Sequence, residues 1–329
     1  MGEKRAEPVG SAVWCRPDPA AIALLAGLGV VWGLTPSVGK LAVMGGWGPL
    51  AFSFWQALGA AAILWVATQA RGVCLPPWNR GFVRYAAAQG LFGFAAPNAL
   101  AITALMHIPA SLFAMLTPLA PILTLIVAGC LGLERVTRRA ALGIGLGLLG
   151  AACALKPGAA MPDREALPWA LLAMLCPLCY AISNVIAVRF KPKGVEPLAI
   201  SVGTTLAAAA WLGPAMLLAG QSRVPMLPWL HADLLVPLQS ALMALAFFGY
   251  FSLIGRAGAV FASQVGFVIL PAGTAWGMLL FGERPGWLAI PAALLIAAGL
   301  ALVSAKRAAV QPAGNADAPA APRPTAPAA

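Results

Sequence analysis

The residues with chemistry to do are polar side chains stranded inside long apolar runs: Trp32, Thr35, Lys40, Gln56, Gln89, Asn98, Thr117, Tyr180, Ser183, Asn184, Tyr250, Ser263, Gln264 and Trp276. A polar group in lipid is costly, so each must bond helix to helix or line a path through a bundle. Proline ranks them. Pro36, Pro97, Pro118, Pro121, Pro177 and Pro271 each remove a helical hydrogen bond and free a carbonyl, and interrupted helices at matching depth point to a binding site near the midplane. Thr35, Asn98, Thr117, Tyr180 and Asn184 therefore rank highest, with Trp32 and Gln264 next. Together these amides, hydroxyls and aromatic rings suit a small amphipathic metabolite, whereas for each residue alone helix packing competes with substrate contact.

Charge singles out four positions. Lys40 lies about one turn from the end of the first apolar run, and Arg189 near the end of the sixth. Either they snorkel to headgroups or they set a cation at each mouth of a pathway, where carboxylate-bearing substrates would collect. Glu134 and Glu283 stand near Thr137 and Pro285, at the start of a following helix, where a carboxylate suits the helix dipole; gating is the alternative role. No Asp or Glu falls in mid-run, so coupling through a buried carboxylate is not expected.

Other patterns have structural readings. Gly145-Leu-Gly147-Leu-Leu-Gly150 spells a dinucleotide fingerprint, but no strand precedes it and Gly143 and Gly147 have the spacing of a close helix contact. Gly29 and Gly33 have the same spacing. Cys176-Pro-Leu-Cys179 has no histidine nearby, and the six cysteines (15, 74, 130, 153, 176, 179) read as small packing residues. His107 and His231 have no ligand partner at metal spacing. No cofactor or metal site and no phosphate loop are expected.

The elements that position these residues follow from composition. At 61% hydrophobic, 9% charged and a mean hydropathy of +0.86, the 329 residues make a membrane protein, with no room for a soluble domain. A crossing needs about 20 apolar residues, and ten runs qualify: 20–44, 49–70, 84–106, 109–132, 139–156, 167–188, 197–220, 233–255, 257–281 and 286–305. The eighth and ninth are divided at Gly255-Arg256-Ala257-Gly258. The runs do not alternate, so the fold class is an all-α membrane protein of ten transmembrane helices, not a barrel. Placing both termini in the cytoplasm puts sixteen Lys and Arg inside and four outside, as the positive-inside rule requires. The net charge of +11 then serves contact with anionic membrane lipids, not nucleic acid. The first run is too long for a signal-peptide core, and the tail from Gln311 is low in complexity and expected to be disordered.

Trp32-Gly33, the Pro118/Pro121 run ending Leu131-Gly132-Leu133-Glu134-Arg135, and Leu270-Pro271 through Leu280-Phe281-Gly282-Glu283-Arg284 resemble the EamA-type carriers of the drug/metabolite transporter superfamily. Leu133, between Gly132 and Glu134, departs from the pattern in the first half. The resemblance implies two five-helix repeats and a cavity among the first, third, fourth, sixth, eighth and ninth spans. Independently, Glu134 and Glu283 are 149 residues apart, as are Lys40 and Arg189. Five spans per repeat forces the second copy to insert inverted. The expected division is a cytoplasmic segment 1–19, repeats 20–156 and 167–305, a connection 157–166 and a cytoplasmic tail 306–329. The expected function is a secondary carrier of the inner membrane moving a small-molecule substrate, by the resemblance an exporter of amino acids or related metabolites. Drug or nucleotide-sugar carriage on the same fold is the alternative. A membrane enzyme on a lipid-linked substrate lacks an acid/base pair, and a scaffold would need no cavity.

Overall fold

A computed structural model describes residues 19–75, 78–134, 136–192, 194–225, 232–262 and 264–310. Cys15, His231, Ser263 and the Pro/Ala-rich tail lie outside them. Among the described residues the chain forms ten helices: α1 Pro19–Met44, α2 Pro49–Ala70, α3 Arg80–Leu105, α4 Ala110–Cys130, α5 Arg138–Ala154, α6 Leu167–Phe190, α7 Pro197–Leu218, α8 Leu235–Ala262, α9 Val265–Phe281 and α10 Ala289–Val310. A single bridge between Pro157 and Met161 is the one β pairing there. Six helices (α1–α4, α6 and α7) have the length and apolarity to cross a membrane.

Local chemistry sets the boundaries. Asn79 and Thr137 accept hydrogen bonds from the amides of Phe82 (2.8 Å) and Ala140 (3.3 Å), capping α3 and α5. Proline opens α2, α6 and α7, where the missing N–H costs nothing. Gly282, at φ +62°, ends α9 in a left-handed turn.

The division between the eighth and ninth runs differs from the sequence expectation. α8 runs through Gly255-Arg256-Ala257-Gly258 and stops at Ala262. Lipid offers no alternative partner for a freed amide, so the backbone keeps its helical bonding through both glycines. α10 likewise runs on to Val310, past the expected end at 305.

The packing is almost unchanged when the two halves are exchanged. α1 lies on α8 and α9, and correspondingly α6 lies on α3 and α4; α2 packs on α8 as α7 does on α3; α2–α7, α4–α9 and α5–α10 pair across the halves. Close approach needs small residues. A Cβ on Gly33 would stand 2.8 Å from the Gly273 amide nitrogen, joining α1 to α9, and one on Gly299 would stand 2.6 Å from both Gly143 O and Gly147 N, joining α10 to α5. Gly143 and Gly147 thus make the helix contact that their spacing predicts, and Gly145, with nothing within 4 Å, takes no part.

The exchange is not complete. α4 packs on α5 and α10, whereas α9 makes no comparable contact with α10 or α5 among the described residues. α1 also packs on the second half of α3 and the first turns of α4, but among the described residues α6 makes no comparable contact with α8 or α9. The bundle is therefore drawn together at the end carrying the 45–48, 106–109 and 282–288 turns. The other end, the basic end, carries most of the Lys and Arg residues, and there α6 has no such closure on α8 or α9.

Candidate translocation pathway

Proline shapes the first half of the site. Ahead of Pro97, α3 widens into a π-helical segment, Leu91–Ala95, a distortion common at functional positions. Asn98, on the next turn, donates through Nδ2 to Phe94 O (2.8 Å) and accepts from Gln56 Nε2 of α2 (3.0 Å). The Pro97 carbonyl accepts from Cys176 Sγ of α6 at 3.3 Å, so this cysteine acts in packing. Pro118 sits in a 3-10 turn, Thr117–Leu119, that interrupts α4, and Thr117 returns its hydroxyl to Phe113 O (3.0 Å).

In the second half, Asn184 donates to Thr124 Oγ1 of α4 at 3.1 Å and is nevertheless exposed. At 100° per residue it lies on the far side of α6 from the exposed Leu171 and Leu175. Tyr180 is half-buried, and among the described residues its hydroxyl has no hydrogen-bond partner. Ser183 and Gln89, both buried, bond to one another, and Gln89 Nε2 also reaches Ser183 O (3.0 Å) and Tyr85 Oη (3.4 Å).

Trp32 of α1 packs edge-on against Tyr250 of α8 with ring centroids 5.6 Å apart. Thr35 donates to Trp32 O at 2.8 Å, and its own carbonyl lies 3.5 Å from Gln239 Nε2. Gln264 is half-buried in the α8–α9 turn, where its backbone N–H donates to Phe261 O (3.0 Å). Trp276 has a packing role, donating from Nε1 to Val30 O (3.2 Å). Of the seven ranked residues only Thr35 and Trp32 bond to one another among the described residues; Asn98, Thr117 and Asn184 bond to neighbours on their own or an adjacent helix.

Four buried polar atoms have no partner among the described residues: Ser37 Oγ, Ser53 Oγ, Gln56 Oε1 and Gln239 Oε1. They belong to α1, α2 and α8, which pack together. Buried groups of this kind call for a water or a ligand. Gln239 was not among the sequence candidates, although Pro237 stands two residues before it.

Lys40 does not snorkel. Its Nζ lies 2.7 Å from Glu283 Oε1, 3.3 Å from Ile108 O and 4.7 Å above the Phe281 ring, and the pair is only 18% and 10% exposed. Glu283, expected to serve the start of its own next helix, instead caps α4: Ala110 N donates to Oε1 and Ser111 N to Oε2, both at 2.8 Å. Burial alone would push this carboxyl up, but the hydrogen bonds from Lys40, Ser111 and Ala110 overcome it and hold the group below its usual range. Arg189 is exposed and makes no ion pair among the described residues.

The gathered end has further fastenings. Gln221 accepts from Leu50 N at 2.8 Å, capping α2, and Arg223 pairs with the buried Asp233 (2.9 Å) while lying 4.7 Å over Trp47. His107 stacks on Trp169 at 3.7 Å, a packing contact.

Two cavities stand outside the ranked set. One of about 1170 Å³ at the basic end lies between α3, α6 and the connection to α7, with Asn79, Arg84, Tyr85, Phe190 and Glu196 in its wall. The other, about 600 Å³ and apolar, runs between α4, α9 and α10 past Pro118, Pro271 and Trp287. Among the described residues no cluster of His, Cys, Asp or Glu has metal-binding geometry.

Comparison with known proteins agrees with this architecture. One solved structure, titled only as the crystal structure of a protein, is 20% identical, aligns over 87% of this chain and 98% of its own, and superposes with a TM-score of 0.60, a likeness of fold alone. No curated protein matches. The model of the EamA-like transporter family matches twice, over residues 19–156 and 167–305. With its apolar helices and doubled architecture, the chain is a multi-pass integral membrane transporter of the drug/metabolite type, and it belongs to the EamA-like transporter family.

Proposed function

We propose that the chain is a secondary carrier of the inner membrane that moves small organic metabolites, amino acids or related compounds, outward by alternating access. It crosses the membrane ten times as two inverted repeats, 20–156 and 167–305, with both termini and the basic end in the cytoplasm. One observation carries the reading: in a bundle whose main helix pairings survive exchange of the halves, α1 closes on α3 and α4 while α6 does not close on α8 or α9. A carrier needs two such unequal states of one symmetric frame.

In this reading Trp32, Thr35, Asn98, Thr117, Tyr180, Asn184 and Gln264 receive the substrate, with Lys40 and Arg189 at the two mouths. Thr35 and Asn184, 149 residues apart, are equivalent positions on the first helix of each repeat. The exposed amide of Asn184, the open hydroxyl of Tyr180 and the Trp32–Tyr250 pair supply hydrogen bonds and an aromatic wall without a fixed charge, which favours a polar, compact solute. No Asp or Glu lies mid-helix, so proton coupling through a buried carboxylate is not expected. A metabolite screen with purified protein in liposomes tests the proposal: saturable flux of one solute class is expected, reduced in Asn98→Ala and Asn184→Ala at unchanged membrane abundance. Undiminished flux in both variants discards the site.

A further inference from the structure

We propose that each repeat contributes one half of two alternating latches, Lys40–Glu283 shut in this conformer and Arg189–Glu134 shut in the opposite one. The inference rests on the carrier reading above and adds the residues that hold each state. The first latch is formed in this structure: an ion pair between residues 243 apart in sequence, with one carboxylate oxygen shared by Lys40 and the Ala110 amide and the other taken by the Ser111 amide. It ties the last turn of α1 and the turn after α9 to the first turn of α4, the three elements whose meeting closes this end.

Its members recur. The cation has its equivalent 149 residues on, near the end of α6, and the acid has its equivalent 149 residues back, in the turn after α4. α4 begins at Ala110 and α9 at Val265, so, counted from the helix start and not by the 149-residue spacing, the amides that open α9 as those of Ala110 and Ser111 open α4 are the amides of Val265 and Gly266. If the chain rocks so that α6 closes on α9 as α1 now closes on α4, Glu134 reaches that turn and Arg189. At present Glu134 and Arg189 are both exposed and are not paired with each other. An ion pair suits a latch because it holds while water is excluded and yields once the cleft hydrates, its two charges then being solvated separately. The shut latch also denies Lys40 to a passing carboxylate, so this cation meets substrate only in the opposite conformer.

The test uses the full chain with its six native cysteines replaced and four introduced: Lys40→Cys, Glu283→Cys, Glu134→Cys and Arg189→Cys. After mild oxidation in membranes, intact mass with thiol counting distinguishes the crosslinked species. Two singly crosslinked products and no doubly crosslinked one are expected, because one end opens as the other shuts. Doubly crosslinked molecules at the product of the single yields, or a 134–189 crosslink that never forms, would overturn the proposal. Should that variant not accumulate, Arg189→Glu added to Lys40→Cys/Glu283→Cys sets two carboxylates face to face at the basic end. The 40–283 crosslink should then form at least threefold faster, and an unchanged rate counts against the latch. Flux that persists with 40–283 crosslinked sinks the latch and leaves the carrier reading standing; exclusive crosslinks without flux of any solute do the reverse.

Discussion

Glu283→Gln keeps the shape of the side chain and one acceptor oxygen but removes the charge that holds Lys40. Exposed ion pairs contribute about 0–1 kcal/mol, whereas removing one partner of a buried pair costs about 3–5 kcal/mol. Exposures of 18% and 10% set Lys40 and Glu283 nearer the buried limit. The amides of Ala110 and Ser111 add a second loss, since a Gln in this place turns one donor toward another. We therefore expect about 3 kcal/mol for Glu283→Gln and about 2 kcal/mol for Lys40→Met, which leaves the cap in place. The double variant should lose less than the sum, with a coupling energy of about 1.5 kcal/mol. Unfolding of purified protein in mixed dodecylmaltoside–SDS micelles measures all three. Losses that add within about 0.5 kcal/mol would refute the argument, because they would mean that the two side chains do not stabilise each other.

Three further outcomes follow. Gly145→Ala should be neutral or stabilising by up to about 1 kcal/mol in the same unfolding assay, since it has open space on its helix, whereas Gly299→Ala should destabilise by about 1–3 kcal/mol, its Cβ meeting backbone at 2.6 Å. Because the carboxyl of Glu283 is held below its usual range, the ion pair's contribution is fully present above the unfolded value of about 4.3 and is lost as pH falls through the lower folded value. Unfolding free energy should consequently fall more steeply below about pH 4 in wild type than in Glu283→Gln. Gln221→Ala should uncap α2 and cost about 1 kcal/mol, read as a lower melting temperature with transport otherwise intact.

Much of the frame was legible because lipid leaves so few choices. Long apolar runs, prolines at N-termini and glycines at helical spacing each have one local meaning, and α1, α2 and α7 begin and end within about two residues of expectation. The α8–α9 break was misplaced because Gly255 and Gly258 read as a turn in water but not in a bilayer. The partners were not legible. Nothing local says that Lys40 meets a carboxylate 243 residues away or that Glu283 caps a helix of the other repeat. Gln56 was visible as a stranded amide, but its bond to Asn98 required the register between α2 and α3. Those facts belong to tertiary packing, which the repeat spacing hinted at only through the recurrence at 149 residues.

The inverted arrangement of the repeats is the central claim, and the sidedness of two equivalent turns tests it most directly. Gly46 follows α1 and Gly194 follows α6, 148 residues later. Single cysteines at these turns in a cysteine-free chain, labelled in intact cells with a membrane-impermeant maleimide, should react at 46 and stay protected at 194 until the membrane is opened. Equal labelling of both from one face would contradict it.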